Sequence, residues 1–182
     1  MKIADVAEFY SDKGGGVKTY IDLKLEAGSK NGHEVIIVAP GAENKTENRS
    51  GGKIIWVKSP PIPIDPRYYF FNRQKHVHEI LNSIKPDIVE GSSPWTGGWM
   101  VANWKGNSVK SFIFHQDPVA VYPETYLGNI IGYENVNRLF FWYWQYLRKL
   151  SKKYDITVTS GIWLADKLKS FGITNAQAVS FG

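Results

Sequence analysis

The fold is decided by residues 2–40, which read KIADVAEFYSDKGGGVKTYIDLKLEAGSKNGHEVIIVAP. A first strand is predicted over residues 2–7, and the run Gly14-Gly15-Gly16 separates it from a helix predicted over residues 17–30. Val35-Ile36-Ile37-Val38 is a continuous apolar run, which is typical of a strand covered on both faces. The segment therefore predicts a strand–helix–strand unit of a parallel sheet.

The rest of the chain continues this alternation of strands and helices. Further strands are predicted over residues 53–58, 87–90, 110–114 and 156–159 and from residue 176 onward, and further helices over residues 68–84, 95–104, 133–154 and 162–171. Residues 41–52 and 119–130 are predicted as loops. This order favours an α/β fold with a Rossmann-like, doubly wound, mainly parallel sheet that carries helices on both faces.

Composition and charge exclude several classes of protein. The chain has 182 residues, of which 43% are hydrophobic, so it is too apolar for a disordered protein and long enough for one sizeable domain. The absence of cysteine excludes disulfide bonds, zinc–thiolate sites and a cysteine nucleophile. A net charge of +5 suits anionic ligands or an anionic membrane surface but gives no reason to expect nucleic acid. Because no signal peptide pattern and no apolar stretch of about 18 residues is found, a cytoplasmic protein is expected.

Ligands of such sheets bind beyond the carboxyl ends of the strands, so the functional residues are expected at these ends. At Gly14-Gly15-Gly16, glycine lets backbone N–H groups approach an anion at the start of a helix. The run does not match the P-loop pattern, because Val17 precedes Lys18-Thr19, and Thr19 occupies the third glycine position of the dinucleotide fingerprint. We interpret the run as a phosphate-binding loop, and the alternative is a tight turn that needs a positive φ.

Several short motifs then occur in a recognisable order. Gly15-Gly16-Val17 is followed by Gly32-His33-Glu34-Val35, Asp87-Ile88-Val89-Glu90, His115-Gln116-Asp117, Ile156-Thr157-Val158-Thr159-Ser160 and Val179-Ser180-Phe181-Gly182. In this order and spacing the chain resembles glycosyltransferase family 4 over its whole length. Lys24 and Gly28 depart from the pattern, since the family usually has leucine at these two helix positions.

The resemblance implies one half of a GT-B enzyme, in which two Rossmann-like domains face each other. Residues 1–182 would form the N-terminal, acceptor-side domain, and its partner would be a C-terminal, donor-binding domain that is absent from this chain. The implied substrates are a nucleotide diphosphate sugar, with its diphosphate at Gly14, Gly15 and Gly16, and a hydroxyl acceptor that is a sugar, a glycan or lipid-linked. The transfer would retain the anomeric configuration without a protein nucleophile and without a cofactor or a metal ion in this domain.

Two candidate residues follow the strand predicted at 110–114. His115 is the candidate catalytic residue, because the family places such a histidine near the donor sugar; the alternative is an ordinary hydrogen-bonded histidine. Asp117 is a candidate for acceptor binding, and its alternative is a turn-forming aspartate before Pro118. No Asp-x-Asp motif occurs in the sequence, and His76 and His78 are spaced too closely to share a helix face, so no metal site is expected.

The strand predicted at 87–90 leads to the remaining acceptor candidates. Glu90 offers a carboxylate to an acceptor hydroxyl, while Ser92, Ser93 and Trp95 offer two hydroxyls and a flat apolar surface that suit a sugar. In the alternative interpretation Ser93 caps the following helix and Trp95 packs in the ordinary way.

The helix predicted at 133–154 combines aromatic and basic residues. One stripe is predicted as core and comprises Val136, Leu139, Phe140, Tyr143, Leu147, Leu150 and Tyr154. The opposite face is basic, and Phe141 and Trp142 interrupt it. We expect the loop at 119–130 to cover these two aromatics. The alternative is peripheral contact with the anionic inner face of a membrane.

Two other functions are left open by the sequence. One is a non-catalytic Rossmann-type nucleotide-binding module, which is disfavoured because Val38-Ala39-Pro40 provides no acid to hold a ribose. The other is half of a GT-B-type sugar-nucleotide epimerase, which would need acid–base residues where the strand ends offer only His115, Asp117 and Glu90.

Overall fold

The computed structural model describes residues 1–12, 15–63 and 65–179. The chain divides into two compact units, Met1–Phe112 and Ile113–Gly182. The strands are β1 (Lys2–Val6), β2 (Glu34–Gly41), β3 (Lys45–Arg49), β4 (Gly52–Lys58), β5 (Ile88–Gly91), β6 (Val109–Phe114), β7 (Ile156–Thr159) and β8 (Ala176–Ala178). The α-helices are α1 (Gly16–Lys30), α2 (Gln74–Ile84), α3 (Thr96–Asn103), α4 (Thr125–Ile131), α5 (Tyr133–Leu139), α6 (Phe141–Ser151) and α7 (Ile162–Ser170), and Ala120–Glu124 forms a π-helical segment.

The sheet of the first unit has the strand order β3-β4-β2-β1-β5-β6. All neighbouring strands in it are parallel except β3, which pairs antiparallel with β4. The chain moves outward from β1 to β2 and β4, and then returns to the other side of β1 for β5. The strand order therefore reverses between β1 and β5, and this is where such sheets form their ligand crevice.

Helices cover both faces of this sheet, because right-handed crossovers in opposite directions place α1 on one face and α2 and α3 on the other. The core under α1 is built from Ile21 and Leu25 of the helix and from alternate residues of β2, which are Val35, Ile37 and Ala39. Helix and sheet approach closely at Gly28, where a Cβ atom would lie 2.3 Å from Val35 Cγ2. The glycine at this position is thus required by packing.

In the second unit, β7 and β8 are parallel and α7 packs against both. Trp144, Leu147 and Leu150 of α6 are fully buried, and the Trp144 ring stacks on Phe171 with the ring centroids 4.3 Å apart. The predicted class, a Rossmann-like α/β fold with mainly parallel strands, is confirmed. Among the described residues, every helix is too short or too polar to cross a membrane.

Two predictions in the first unit are wrong. Residues 41–52 are not a loop, because β3 pairs with β4 through a turn at Ser50-Gly51, where Gly51 has a φ of +91°. The helix predicted from residue 68 begins only at Gln74. The backbone before it is held in an extended conformation, since Tyr69 forms a bridge with Pro61 and the Phe70 N–H donates to the Pro60 carbonyl.

Two predictions in the second unit are also wrong. The helix predicted at 133–154 is broken at Phe140 into α5 and α6, and Leu139, predicted as core, is exposed. The loop predicted at 119–130 forms the π-helical segment and most of α4. It does not cover Phe141 and Trp142, which are 54% and 62% exposed.

Candidate functional site

The N-terminus of α1 lies beyond the carboxyl end of β1, where Gly15 and Gly16 are exposed. Gly15 has a φ of +100°, which favours glycine, and a Cβ atom on Gly16 would meet nothing within 4 Å. No side chain among the described residues caps α1, and its first turn contains no acid. The free N–H groups and the positive end of the helix dipole are therefore available to an anion. Gly14, and residues 180–182 of the last motif, lie outside the described residues.

A buried cluster of charges lies at the strand-order reversal. Asp5 of β1 and Glu90 of β5 are register partners, so their carboxylates project from the same face of the sheet. Lys24 of α1 forms ion pairs with both, its Nζ lying 2.6 Å from Asp5 Oδ2. Ser92 donates a hydrogen bond of 2.6 Å to the other Asp5 oxygen. Glu90 and Ser92, both predicted to bind an acceptor, are thus brought together around Asp5, with the Glu90 carboxylate held by Lys24.

Burial and pairing decide the protonation of this cluster. Burial raises the pKa of Glu90, although Lys24 beside it acts in the opposite direction. Burial by itself lowers the pKa of Lys24, but the carboxylates of Asp5 and Glu90 outweigh this effect and raise that pKa. The Tyr20 ring lies 5.4 Å from Lys24 Nζ, and burial raises the pKa of its hydroxyl to about 12. Lys24 is consequently a permanent cation between two acids.

Glu8, which the sequence analysis did not single out, fixes the loop between β5 and α3. Its buried carboxylate accepts hydrogen bonds from Ser93 Oγ at 2.5 Å and from the Gly97 N–H at 2.9 Å. The carboxylate thereby satisfies the first turn of α3 and neutralises the positive end of that helix. Trp95, in the same loop, remains 44% exposed. Of the predicted acceptor residues in this loop, Ser93 is buried with its hydroxyl bound to Glu8, and only Trp95 is exposed.

A cleft of about 170 Å³, which we call the aromatic cleft, opens beyond the carboxyl ends of β1 and β2. Its walls are the aromatic side chains Tyr10, Trp56 and Tyr69, and its charged residues are Asp12, Glu43, Lys45 and Arg67. This cleft could not be predicted from the sequence, because β4 and the segment at 67–69 contribute residues that are distant in the chain from the glycine loop. The only sequence signal was the high aromatic content of 14%.

In the second unit, a cluster of charges is built around Lys167 of α7. Its Nζ lies 2.6 Å from Asp117 Oδ2 and 2.9 Å from Glu124 Oε1, and all three side chains are almost buried. The other Asp117 oxygen accepts hydrogen bonds from the backbone N–H groups of Val119 and Ala120. Asp117 therefore has the turn-forming role that was the alternative in the sequence analysis, and its predicted contact with an acceptor stays a prediction.

Aromatic rings enclose Lys167, whose Nζ lies 5.3 Å from the Trp144 ring centroid and 5.2 Å from that of Trp163. Both rings thus stabilise the buried ammonium group. His115, at the end of β6 and two residues before Asp117, is half-buried. The cluster of Lys167 with Asp117 therefore fixes the backbone just beyond the candidate catalytic histidine.

His76 and His78 of α2 have structural contacts. His78 Nε2 lies 2.8 Å from the Met100 carbonyl, and His76 Nδ1 lies 3.5 Å from Glu79. In residues 1–12, 15–63 and 65–179, no group of three or more histidine, aspartate or glutamate side chains is arranged to hold a metal ion.

Comparison with known proteins finds a matching family and related sequences. The sequence model of Glycosyltransferase Family 4 matches residues 14–179. The chain is 23% identical over 179 residues to a GDP-mannose-dependent alpha-mannosyltransferase of Corynebacterium glutamicum, covering 96% of this chain and 41% of that protein. It is 30% identical over 97 residues to a GDP-mannose-dependent alpha-(1-6)-phosphatidylinositol dimannoside mannosyltransferase of Mycobacterium tuberculosis, covering 53% of this chain and 25% of that protein.

The fold also resembles a solved structure. A Glycyrrhiza uralensis protein in complex with glycyrrhetinic acid 3-O-monoglucuronide aligns with a TM-score of 0.55 and 10% sequence identity. The alignment covers 100% of this chain and 48% of the other. The chain thus spans less than half the length of each of these proteins.

Proposed function

This chain belongs to glycosyltransferase family 4, and from that premise we propose that it is the acceptor-side half of an enzyme that transfers a hexosyl group from a nucleotide diphosphate sugar to a hydroxyl group. The observation that carries the proposal is the open N-terminus of α1 at Gly15 and Gly16, beside the strand-order reversal. The family match and the uncapped start of α1, where backbone N–H groups suit an anion, support the same proposal.

The donor would bind through its diphosphate at Gly14, Gly15 and Gly16. Backbone N–H groups and the helix dipole would stabilise the negative charge that grows on the diphosphate as the bond to the sugar breaks. Both mannosyltransferases that the chain resembles are named as dependent on GDP-mannose, so GDP-mannose is the first donor to test. No metal ion or cofactor is part of this proposal.

The reaction that we propose retains the anomeric configuration. The bond between the anomeric carbon and the diphosphate breaks, and the acceptor oxygen bonds to the same face of that carbon. The acceptor proton passes to a diphosphate oxygen. His115 is the proposed hydrogen-bond donor to the sugar as charge develops. Glu90, Ser92, Ser93, Trp95 and Asp117 are the proposed acceptor-binding residues. Lys24 pairs with Glu90, and Ser92 donates to Asp5. Both acceptor-binding side chains would therefore be held in place before the acceptor binds.

A donor-binding domain would complete the enzyme, because both faces of a closed cleft are needed to position the diphosphate. The chain spans at most 41% of the two mannosyltransferases that it resembles, which supports this division. We propose residues 1–182 as the acceptor-side domain and a C-terminal, donor-binding domain as its partner.

Peripheral membrane contact is the second part of the proposal. Phe141 and Trp142 of α6 are exposed, and exposed basic residues lie near them in the chain: Lys149 on α6, Lys152 and Lys153 directly after it, and Arg138 on α5. Interleaved aromatic and basic residues of this kind bind the surface of an anionic membrane. A cytoplasmic enzyme that acts on lipid-linked acceptors at the inner face of the membrane fits this surface.

Glycosyl transfer is tested with a longer protein that joins this chain to a donor-binding domain. With GDP-mannose and methyl α-mannoside, we expect a mannosylated product of α configuration, identified by NMR of its anomeric proton. The chain alone should fold, as judged by circular dichroism, and should give no product. An epimerised sugar nucleotide, or saturable NAD(H) binding without transfer, would establish one of the two rival functions instead.

A further inference from the structure

We propose that Glu8 is a positioning residue for the acceptor and that it acts through Trp95. Glu8 is 2% exposed, so any contribution that it makes to binding has to pass through another residue. Trp95, in contrast, is 44% exposed and offers the apolar surface of its ring to a ligand. The inference rests on the proposed function in taking that ligand to be the acceptor, and it goes beyond that function by giving Glu8 a role in binding.

A relay of hydrogen bonds joins Glu8 to the backbone of Trp95. Ser93 Oγ donates to Glu8 Oε2 at 2.5 Å and accepts from the Trp95 N–H at 3.3 Å. Because Ser93 is only 1% exposed, its hydroxyl is used inside the protein. Ser93 would therefore affect the acceptor in the same way as Glu8, by fixing the backbone from which the Trp95 ring projects.

Glu8 also supplies the cap that the start of α3 lacks. Trp95 occupies the N-cap position of this helix and makes no side-chain cap hydrogen bond. An N-cap side chain ordinarily accepts from the second or third N–H group of its helix. In α3 the second N–H group, that of Gly97, donates instead to Glu8 Oε2 at 2.9 Å. A capping position given to an aromatic residue and compensated from a distant segment is the kind of local exception that functional sites contain.

The support for this relay is rigid on both sides. The Ala7 N–H donates to the Val38 carbonyl of β2 at 2.9 Å, and the Tyr10 N–H donates to the Ala7 carbonyl at 3.2 Å, so Glu8 lies in a turn that is fixed to the sheet. On the other side, a Cβ atom on Gly97 would lie 3.2 Å from Glu8 Cβ, which shows how closely the start of α3 packs against Glu8. The backbone at Trp95 is thus held before a ligand arrives, which lowers the entropy that binding costs.

The test measures the kinetics of the longer protein that joins this chain to a donor-binding domain, with GDP-mannose as donor and methyl α-mannoside as acceptor. Glu8→Ala removes two hydrogen bonds and should raise the KM of the acceptor about tenfold, while the KM of GDP-mannose stays unchanged. Glu8→Gln should restore most of the acceptor affinity, because its amide oxygen can accept both hydrogen bonds. Glu8→Asp keeps the charge but is one methylene shorter, so it should resemble Glu8→Ala.

Two further variants separate positioning from a merely structural role. Trp104 Nε1 donates to Asn82 Oδ1 at 2.8 Å directly after the other end of α3. Asn82→Ala therefore weakens the attachment of the same helix away from Trp95 and should leave the KM of the acceptor unchanged. Trp95→Ala should raise this KM, and adding Glu8→Ala to it should raise the KM no further, since Glu8 acts through Trp95.

Three results would overturn the proposal. They are an unchanged acceptor KM in Glu8→Ala, an equal rise of this KM in Asn82→Ala, and additive effects of Glu8→Ala and Trp95→Ala. If Glu8→Ala does not fold, as judged by circular dichroism, Glu8→Asp takes its place in each comparison. Transfer by the longer protein combined with any of these results would overturn the role of Glu8 alone. If the longer protein transfers no sugar, the proposed function and the role of Glu8 are both overturned.

Discussion

Gly15 and Gly16 are neighbours, but a side chain has opposite consequences for folding at the two positions. Gly15 has a φ of +100° and a ψ of 165°, a conformation that other residues adopt only at a cost of about 1–3 kcal/mol. Gly16 begins α1 and has open space where a Cβ atom would be placed. A change at Gly16 therefore separates the role of the loop in binding from its role in folding.

We predict that Gly15→Ala lowers the free energy of unfolding by about 1–3 kcal/mol, measured by urea denaturation. Gly16→Ala should leave stability unchanged or slightly higher, because alanine favours a helix over glycine. If the loop binds the diphosphate, Gly16→Ala in the longer protein still lowers turnover, since its methyl group fills the open space. Full turnover by Gly16→Ala would mean that the glycines only form a turn.

Loss of Lys24 should strongly lower the stability of the first unit. Lys24→Met would leave Asp5 and Glu90 facing each other without a cation, and breaking a buried pair in this way costs about 3–5 kcal/mol. Lys18→Met removes an i,i+4 pair with Asp22 from the surface of the same helix and should cost less than about 1 kcal/mol. Urea denaturation of both variants at pH 7 checks the contrast.

The pH dependence of Lys24→Met follows from the raised pKa of Glu90. A carboxyl whose pKa is raised in the folded protein stabilises it when protonated, and this contribution is lost as pH rises through the folded pKa. Removing Lys24 raises that pKa further, so the stability deficit should be largest near neutral pH and shrink as pH falls toward about 4.5. A deficit that does not change with pH would show that Lys24 acts only by packing.

The roles of some single residues could not be predicted from the sequence. Lys24 and Gly28 were recognised as departures from the family pattern, but their reasons lie in other elements. Lys24 has its partners on β1 and β5, and only the register of these strands places Asp5 opposite Glu90. The role of Glu8 depends in the same way on Ser93 and Gly97, 85 and 89 residues along the chain.

At the level of elements, the cluster around Lys167 joins α7 to the segment that follows β6. Lys167→Met would leave Asp117 and Glu124 buried without their cation. We predict that the free energy of unfolding falls by about 3–5 kcal/mol. The Val119 and Ala120 amides, which donate hydrogen bonds to Asp117, should exchange their hydrogens faster. Lys169→Met, on the same helix, removes an exposed pair with Asp166 and should change neither quantity. Equal effects of the two changes would show that the cluster does not hold this segment.

The strongly patterned elements were predictable, and those whose signals are non-local were not. The apolar run at Val35 and the glycine stop at Gly32 located β2 and the end of α1. β3 reads KTENR, with no apolar residue, because it lies at the edge of the sheet. The break between α5 and α6 at Phe140 contains no proline or glycine. The helical periodicity of the sequence therefore predicted one continuous helix.

The site was partly predictable for the same reason. The strand ends that carry Gly15, Ser92 and His115 follow from the order of elements alone. The aromatic cleft does not, since it requires β4 and the folded segment at 67–69 to meet the loop after β1.

For the whole molecule, we predict binding to anionic vesicles with two separable contributions. Each basic residue near the surface contributes about 1 kcal/mol that salt weakens, whereas insertion of Phe141 and Trp142 contributes a part that salt leaves unchanged. Replacing both aromatics by serine should remove the salt-resistant part in a vesicle sedimentation assay. Since both are already exposed, the fold should tolerate the change. Binding no stronger than to neutral vesicles at low salt would contradict membrane contact.

The polar edge strand β3 has a consequence for how molecules of this protein meet one another. A parallel sheet that ended at β4 would present the apolar strand KIIWVK as a template for a strand from a second molecule. β3 covers that strand and carries Lys45, Glu47 and Arg49, whose charges alternate in sign. A strand from a second molecule that paired with β3 would have to bury these charged side chains. β3, which the hydrophobic pattern did not predict, is thus the strand that protects the first unit from self-association and aggregation.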